Sequence, residues 1–157
     1  MKNYSTKRKI LISISWLLVA ACMGVIFYLS HQPSEESAQQ SLAVIDFLGK
    51  LAEGLVNVIG HEGFRSVAHG LEFCGLAVLL YNALLQATGK QKPILSWALA
   101  AVYAVSDEIH QIFIPGRAFQ LQDIAVDASG AAVGVAACVA LYVTIRKLRG
   151  KSIEKER

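Results

Sequence analysis

Ile10 to Leu29 runs for twenty residues without a charged side chain. A helix of that length rises about 30 Å, the thickness of the hydrocarbon core of a bilayer. Runs of similar length recur at 66–87, 94–112 and 123–145, so four such stretches share one chain of 157 residues. Charged residues are only 17% of the chain, against about 25% in soluble domains. No soluble enzyme fold competes with a reading as a single-domain integral membrane protein.

The expected fold is all-α: a four-transmembrane-helix bundle with an interfacial amphipathic helix between the first two crossings. The crossings are placed at 10–29, 66–87, 94–112 and 123–145, and the interfacial helix at 42–59. In that last segment Asp46, Lys50, Glu53 and Asn57 interrupt an apolar background. They fall on an arc of about 60°, which suits a helix lying in the membrane interface; an ordinary helix capping the bundle fits as well. Ser37-Ala38-Gln39-Gln40 resembles a capping box. Pro93 suits a first helical turn, Pro115-Gly116 a loop, and the polar tail from Arg146 is expected to fray. A cleaved signal peptide would have a shorter apolar core. Val19-Ala20-Ala21-Cys22 has the pattern of a lipoprotein cleavage site, yet Met23 to Leu29 stays apolar, which favours an uncleaved helix. The three cysteines, Cys22, Cys74 and Cys138, sit singly in apolar runs and suggest no disulfide framework.

Charge sorts by segment. Twelve of the fifteen Lys and Arg residues lie in the N-terminal tail, the 88–93 loop and the tail from Arg146. Four crossings put those segments on one side, and the positive-inside rule makes that side cytoplasmic, with both termini there. The polar ends of the other segments then meet at the outer face. Arg65, His69 and Glu72 open the second run, Asp107, Glu108, His110 and Gln111 close the third, and Asp123 and Asp127 open the fourth. Arg117 lies in the loop between the last two. Ionisable groups at membrane depth face a bundle interior and mark function by default. Gly130 and Gly134 continue the Asp123–Asp127 face as a GxxxG motif, which lets helices approach closely and allows a homo-oligomer through that face.

The strings Arg65-x-x-x-His69-x-x-Glu72-Phe73, Ser106-Asp107-Glu108-x-His110-Gln111-x-Phe113-x-Pro115-Gly116-Arg117 and Asp123-x-x-x-Asp127-x-x-Gly130-x-x-x-Gly134 resemble the VanZ family over about residues 10–145. The resemblance implies a bacterial cell-membrane protein associated with resistance to glycopeptide antibiotics, notably teicoplanin. It implies a phenotype rather than a reaction. Two departures stand out: Ser66 where members often carry Lys, and Asp127 where many carry Asn.

Three uses of the site compete. The first is recognition of an anionic or polar head group, with Glu108 and His110 central and Arg117 or Arg65 holding phosphate or carboxylate bidentately. Membrane lipids, a cell-wall precursor or the glycopeptide itself would be the partner; no nucleic acid is expected. Against it stands plain internal pairing of both arginines with neighbouring acids. The second use is an intramembrane enzyme, with Glu108, His110 and Asp107 as catalytic candidates. A divalent metal is conceivable among His69, His110, Glu72, Asp107, Glu108, Asp123 and Asp127, though no zincin spacing assigns one. The third is a small transporter with His69 and Glu72 as a proton relay. His31 and His61 are read as solvated loop residues, and Asn82 as an interhelical hydrogen-bond donor.

Overall fold

The computed structural model describes residues 5–37, 39, 42, 46 and 49–155, apart from the side chains of 50–53, 55, 62 and 149–155. The described residues form helices and turns, with no strand among them. Helix α1 (Thr6–Ser30) has 25 residues and meets no proline. It starts before the first apolar residue because Lys and Arg are good helix formers. It ends at His31, whose N–H bonds Phe27 O at 2.9 Å. A helical turn follows Pro33, with Ser37 N–H on Pro33 O at 3.0 Å. Ser37 is therefore already inside a helix and does not cap one. Of the rest of that expected box, Gln39 is helical, and Ala38 and Gln40 lie outside the described residues.

Helix α2 (Lys50–Thr88) is broken once, at Gly60, where φ is 75° and ψ 172°. That region is open essentially to glycine alone. The interfacial helix expected at 42–59 is thus not a separate element after Lys50; it leads into the second crossing through one glycine. Phe64 packs against Val56 across the break. Of the earlier part only Leu42, Asp46 and Gly49 are described, and the side chains of Lys50 and Glu53 are not. α2 ends at Gly89, in the left-handed conformation at φ 70°, with its N–H on Leu85 O.

Helix α3 (Pro93–Gln111) opens on its proline as expected. Helix α4 (Leu121–Lys155) starts two residues before the expected Asp123 and continues beyond 145. The tail expected to fray from Arg146 is helical to Lys155, because Lys, Arg, Leu and Glu keep a helix going where no proline stops it. Among the described residues, three stretches are long and apolar enough to cross a membrane: Thr6–Ser30, Gly63–Thr88 and Leu121–Leu148. The expected third crossing, α3, is not among these three: it has 19 residues, and its last turns carry Ser106, Asp107, Glu108, His110 and Gln111, which dilute its apolarity.

α2 is the central helix, packing most heavily on α4 and also on α1 and α3. Its Phe73, Leu76, Ala77 and Ala83 are fully buried. α2 and α4 touch backbone to backbone. A Cβ on Gly134 would lie 2.5 Å from Cys74 O, and one on Gly130 would overlap the Gly70 carbonyl. The face considered above for a homo-oligomer is therefore occupied by α2 of the same chain. On α3, Ser96, Ala100, Ala104, Asp107 and Gln111 form one buried stripe. Outward positions are apolar instead: Leu17 is 70% exposed and Val102 67%. Lipid tails are as apolar as these side chains, so close packing and interhelical hydrogen bonds must hold the bundle. Asn82 Nδ2 donates to Ser15 Oγ at 3.2 Å, the interhelical bond expected of it. Tyr103 Oη donates to Met23 O at 2.7 Å and Trp97 Nε1 to Ala128 O at 3.0 Å. The three cysteines are free.

Candidate functional site

The polar ends of the helices are gathered by the 112–120 loop. Tight turns follow α3: the N–H groups of Ile112, Phe113 and Ile114 bond the carbonyls of Ile109, His110 and Gln111. Gly116 then turns at φ 76° with Ser34 against it, where a Cβ would collide with the serine hydroxyl. Ser34 N–H reaches Pro115 O at 3.4 Å, and Ile114 is buried. The loop therefore folds back onto the segment after α1 and carries Arg117 inward.

Arg117 is half-buried. Its Nε donates to Gln32 O at 3.3 Å and its Nη1 to Gln111 Oε1 at 3.5 Å. Its Nη2 is buried without a partner. Burial first, then the charge of Arg65, pull the guanidinium below the usual arginine range, while Asp107, Asp123 and Glu108 pull it back up. It stays protonated, since arginine does not lose its proton in proteins.

Asp107 is buried at the level of Ser30, the last residue of α1. Ser30 Oγ donates to its Oδ2 at 2.5 Å and Gln111 Nε2 to the same oxygen at 3.3 Å. Its Oδ1 has no partner. Glu108, also buried, accepts the Gln120 N–H on Oε1 at 2.5 Å. Gln120 precedes α4, and its carbonyl accepts from Asp123 and Ile124. Glu108 thus caps α4 from a neighbouring helix, satisfying an orphan N–H at the positive end of the dipole. On α2, His69 Nδ1 and Glu72 Oε2 are 3.9 Å apart, too far for a hydrogen bond, and Glu72 Oε2 is unpartnered. Asp127 on α4 is 3% exposed, and its Oδ1 is likewise unpartnered.

These groups act on one another electrostatically. Arg117, Arg65, Asp107 and Asp123 all act on His69; Asp107, Asp123, Glu72 and Glu108 all act on Asp127. The structure therefore brings Arg65, His69, Glu72, Asp107, Glu108, Gln111, Arg117, Asp123 and Asp127 to one end of the bundle. His110 differs. Its Nε2 lies 3.1 Å from His31 Nδ1, and Phe27 packs over its ring at 4.6 Å between centroids. Position 110 lies about 60° from Asp107 on the side opposite Gln111, where the half-buried ring meets Phe27 of α1. His31, read above as a solvated loop residue, is exposed but paired in this way. Sequence reasoning also missed Ser30, Gln32 and Gln120. A small polar residue ending an apolar run was a usable signal for Ser30. The other two act through their backbones, which side-chain patterns do not report. Among the described residues, no group of three or more His, Cys, Asp or Glu side chains is disposed to hold a metal ion.

The sequence model of the VanZ/LLP1 family matches residues 15–143. No curated protein and no solved structure matches the chain.

Proposed function

The chain belongs to the VanZ/LLP1 family, and from that premise we propose that it modulates susceptibility to teicoplanin-class glycopeptides by recognising an anionic head group at the outer face of the cell membrane. The head group belongs to an envelope lipid or cell-wall precursor, or to the antibiotic itself. In this reading α3 also crosses the membrane, making four crossings; both termini are cytoplasmic, and the polar end of the bundle opens outward. The charge asymmetry of the loops supports the orientation.

One observation carries the reading. Arg117 sits among Asp107, Glu108 and Asp123, yet its hydrogen bonds go to two amide oxygens, and Nη2 has no partner. An arginine kept only to hold helices together would pair with one of those carboxylates, because an unpaired buried charge is costly. A guanidinium held in place by neutral acceptors, with one nitrogen left over, is arranged for an anion from outside the chain. The test is Arg117→Ala and Arg117→Lys expressed at wild-type level in a glycopeptide-susceptible bacterium. Loss of the susceptibility change in Arg117→Ala, with partial retention in Arg117→Lys, is expected. Unchanged susceptibility in Arg117→Ala overturns the reading.

A further inference from the structure

Among the described residues, three carboxylate oxygens besides Arg117 Nη2 are buried without a hydrogen-bond partner: Glu72 Oε2, Asp107 Oδ1 and Asp127 Oδ1. They come from three different helices. Asp107 is 4% exposed and Asp127 3%, so neither has bulk water to turn to. The three act on one another: Asp107 on Glu72, and both of these on Asp127. Asp107 also acts on Arg117. Gln111 bridges Arg117 and Asp107, accepting from Nη1 at 3.5 Å and donating to Oδ2 at 3.3 Å. One donor and three acceptors are thus left over at the same end of the bundle.

A simple anion would satisfy the guanidinium and be repelled by three carboxyl groups. A simple cation would do the reverse. The unmet demand is for both signs on one ligand. We infer that this site takes a head group carrying a phosphate and a primary ammonium together, of the ethanolamine phosphate type. This rests on the head-group reading above and narrows it. The phosphate accepts from Arg117 Nη2. The ammonium has three N–H donors to offer to the orphan carboxylate oxygens. A buried ammonium is tolerated only when it is paired and its donors are met. A quaternary ammonium has no N–H and leaves all three acceptors unpaired, so the site discriminates ethanolamine from choline. Sites built to hydrogen-bond a ligand's N–H reject analogues lacking it far better than apolar pockets reject a methylene.

The same chemistry occurs on phosphatidylethanolamine and on free phosphoethanolamine, and the experiment separates them. The full-length protein in detergent micelles is titrated with phosphatidylethanolamine, phosphatidylcholine and phosphatidylglycerol of identical acyl chains, with occupancy read by native mass spectrometry. Phosphatidylethanolamine is expected to bind about tenfold tighter than either of the others, a 1.4 kcal/mol preference. Asp127→Asn should bring the ethanolamine-to-choline ratio toward one, and Glu72→Gln provides the same readout if that variant does not fold. Competition by free phosphoethanolamine at comparable concentration assigns the site to a soluble ligand; its failure to compete assigns it to the lipid. Equal binding of phosphatidylcholine, with Arg117→Ala still impaired, overturns the ammonium inference and leaves the anion reading intact. Lipid binding that Arg117→Ala does not change overturns both.

Discussion

Ser30 and Asp107 hold the ends of α1 and α3 together through one short bond, Oγ to Oδ2 at 2.5 Å. With Oδ1 unpartnered, that bond is the main compensation for burying the carboxyl group. Ser30→Ala leaves only the 3.3 Å contact from Gln111. Hydrogen bonds to charged groups are worth about 1.5–3 kcal/mol in water-soluble proteins, while those between membrane helices average about 0.6. A loss near 1 kcal/mol is therefore expected, read from thermal melting in detergent, and much of it should vanish when Asp107→Asn is already present. A full loss that persists in the double variant would mean that Ser30 acts elsewhere. At this scale the sequence was readable where helical spacing decides. Asp107 and Gln111 lie four apart and share the buried stripe with Ser96, Ala100 and Ala104. It was unreadable where the chain folds back: Glu108 reaches the Gln120 N–H and Arg117 reaches Gln32 O, contacts set by loop conformation. His110 shows the cost of reading a motif as a unit. It shares a string with Asp107 and Glu108 but turns to His31.

Two glycines on facing helices behave oppositely. On α4, a Cβ at Gly134 meets Cys74 O at 2.5 Å; on α2, a Cβ at Gly75 meets nothing within 4 Å. Gly134→Val must push α2 and α4 apart, and overpacking of this kind costs about 1–3 kcal/mol or prevents folding. Gly75→Ala removes backbone freedom at an open position and should be neutral or stabilising by up to about 1 kcal/mol. Melting the two variants side by side checks this; equal destabilisation would place the helix contact elsewhere. The apolar runs and Pro93 made the helices legible, because a bilayer demands that length and a proline marks a start. The join between the first polar stripe and the second crossing was not legible. A glycine at a break and a glycine in a loop look alike in sequence, and Gly60, between the expected segments 42–59 and 66–87, is a kink in one long helix.

Over the whole molecule, three helices among the described residues meet the requirements for crossing, and one more, α3, carries acids at one end. If α3 crosses, its two flanking loops lie on opposite sides, the basic 88–93 loop inside and the 112–120 loop with Arg117 outside. Lys90 and Phe119 are both exposed residues of those loops. In a background where Cys22, Cys74 and Cys138 are replaced by alanine, Lys90→Cys and Phe119→Cys are treated in intact cells with a membrane-impermeant maleimide. Labelling of Phe119→Cys in intact cells, and of Lys90→Cys only after permeabilisation, is the result the account requires. Labelling of both from the same side, or of Phe119→Cys only after permeabilisation, would contradict it.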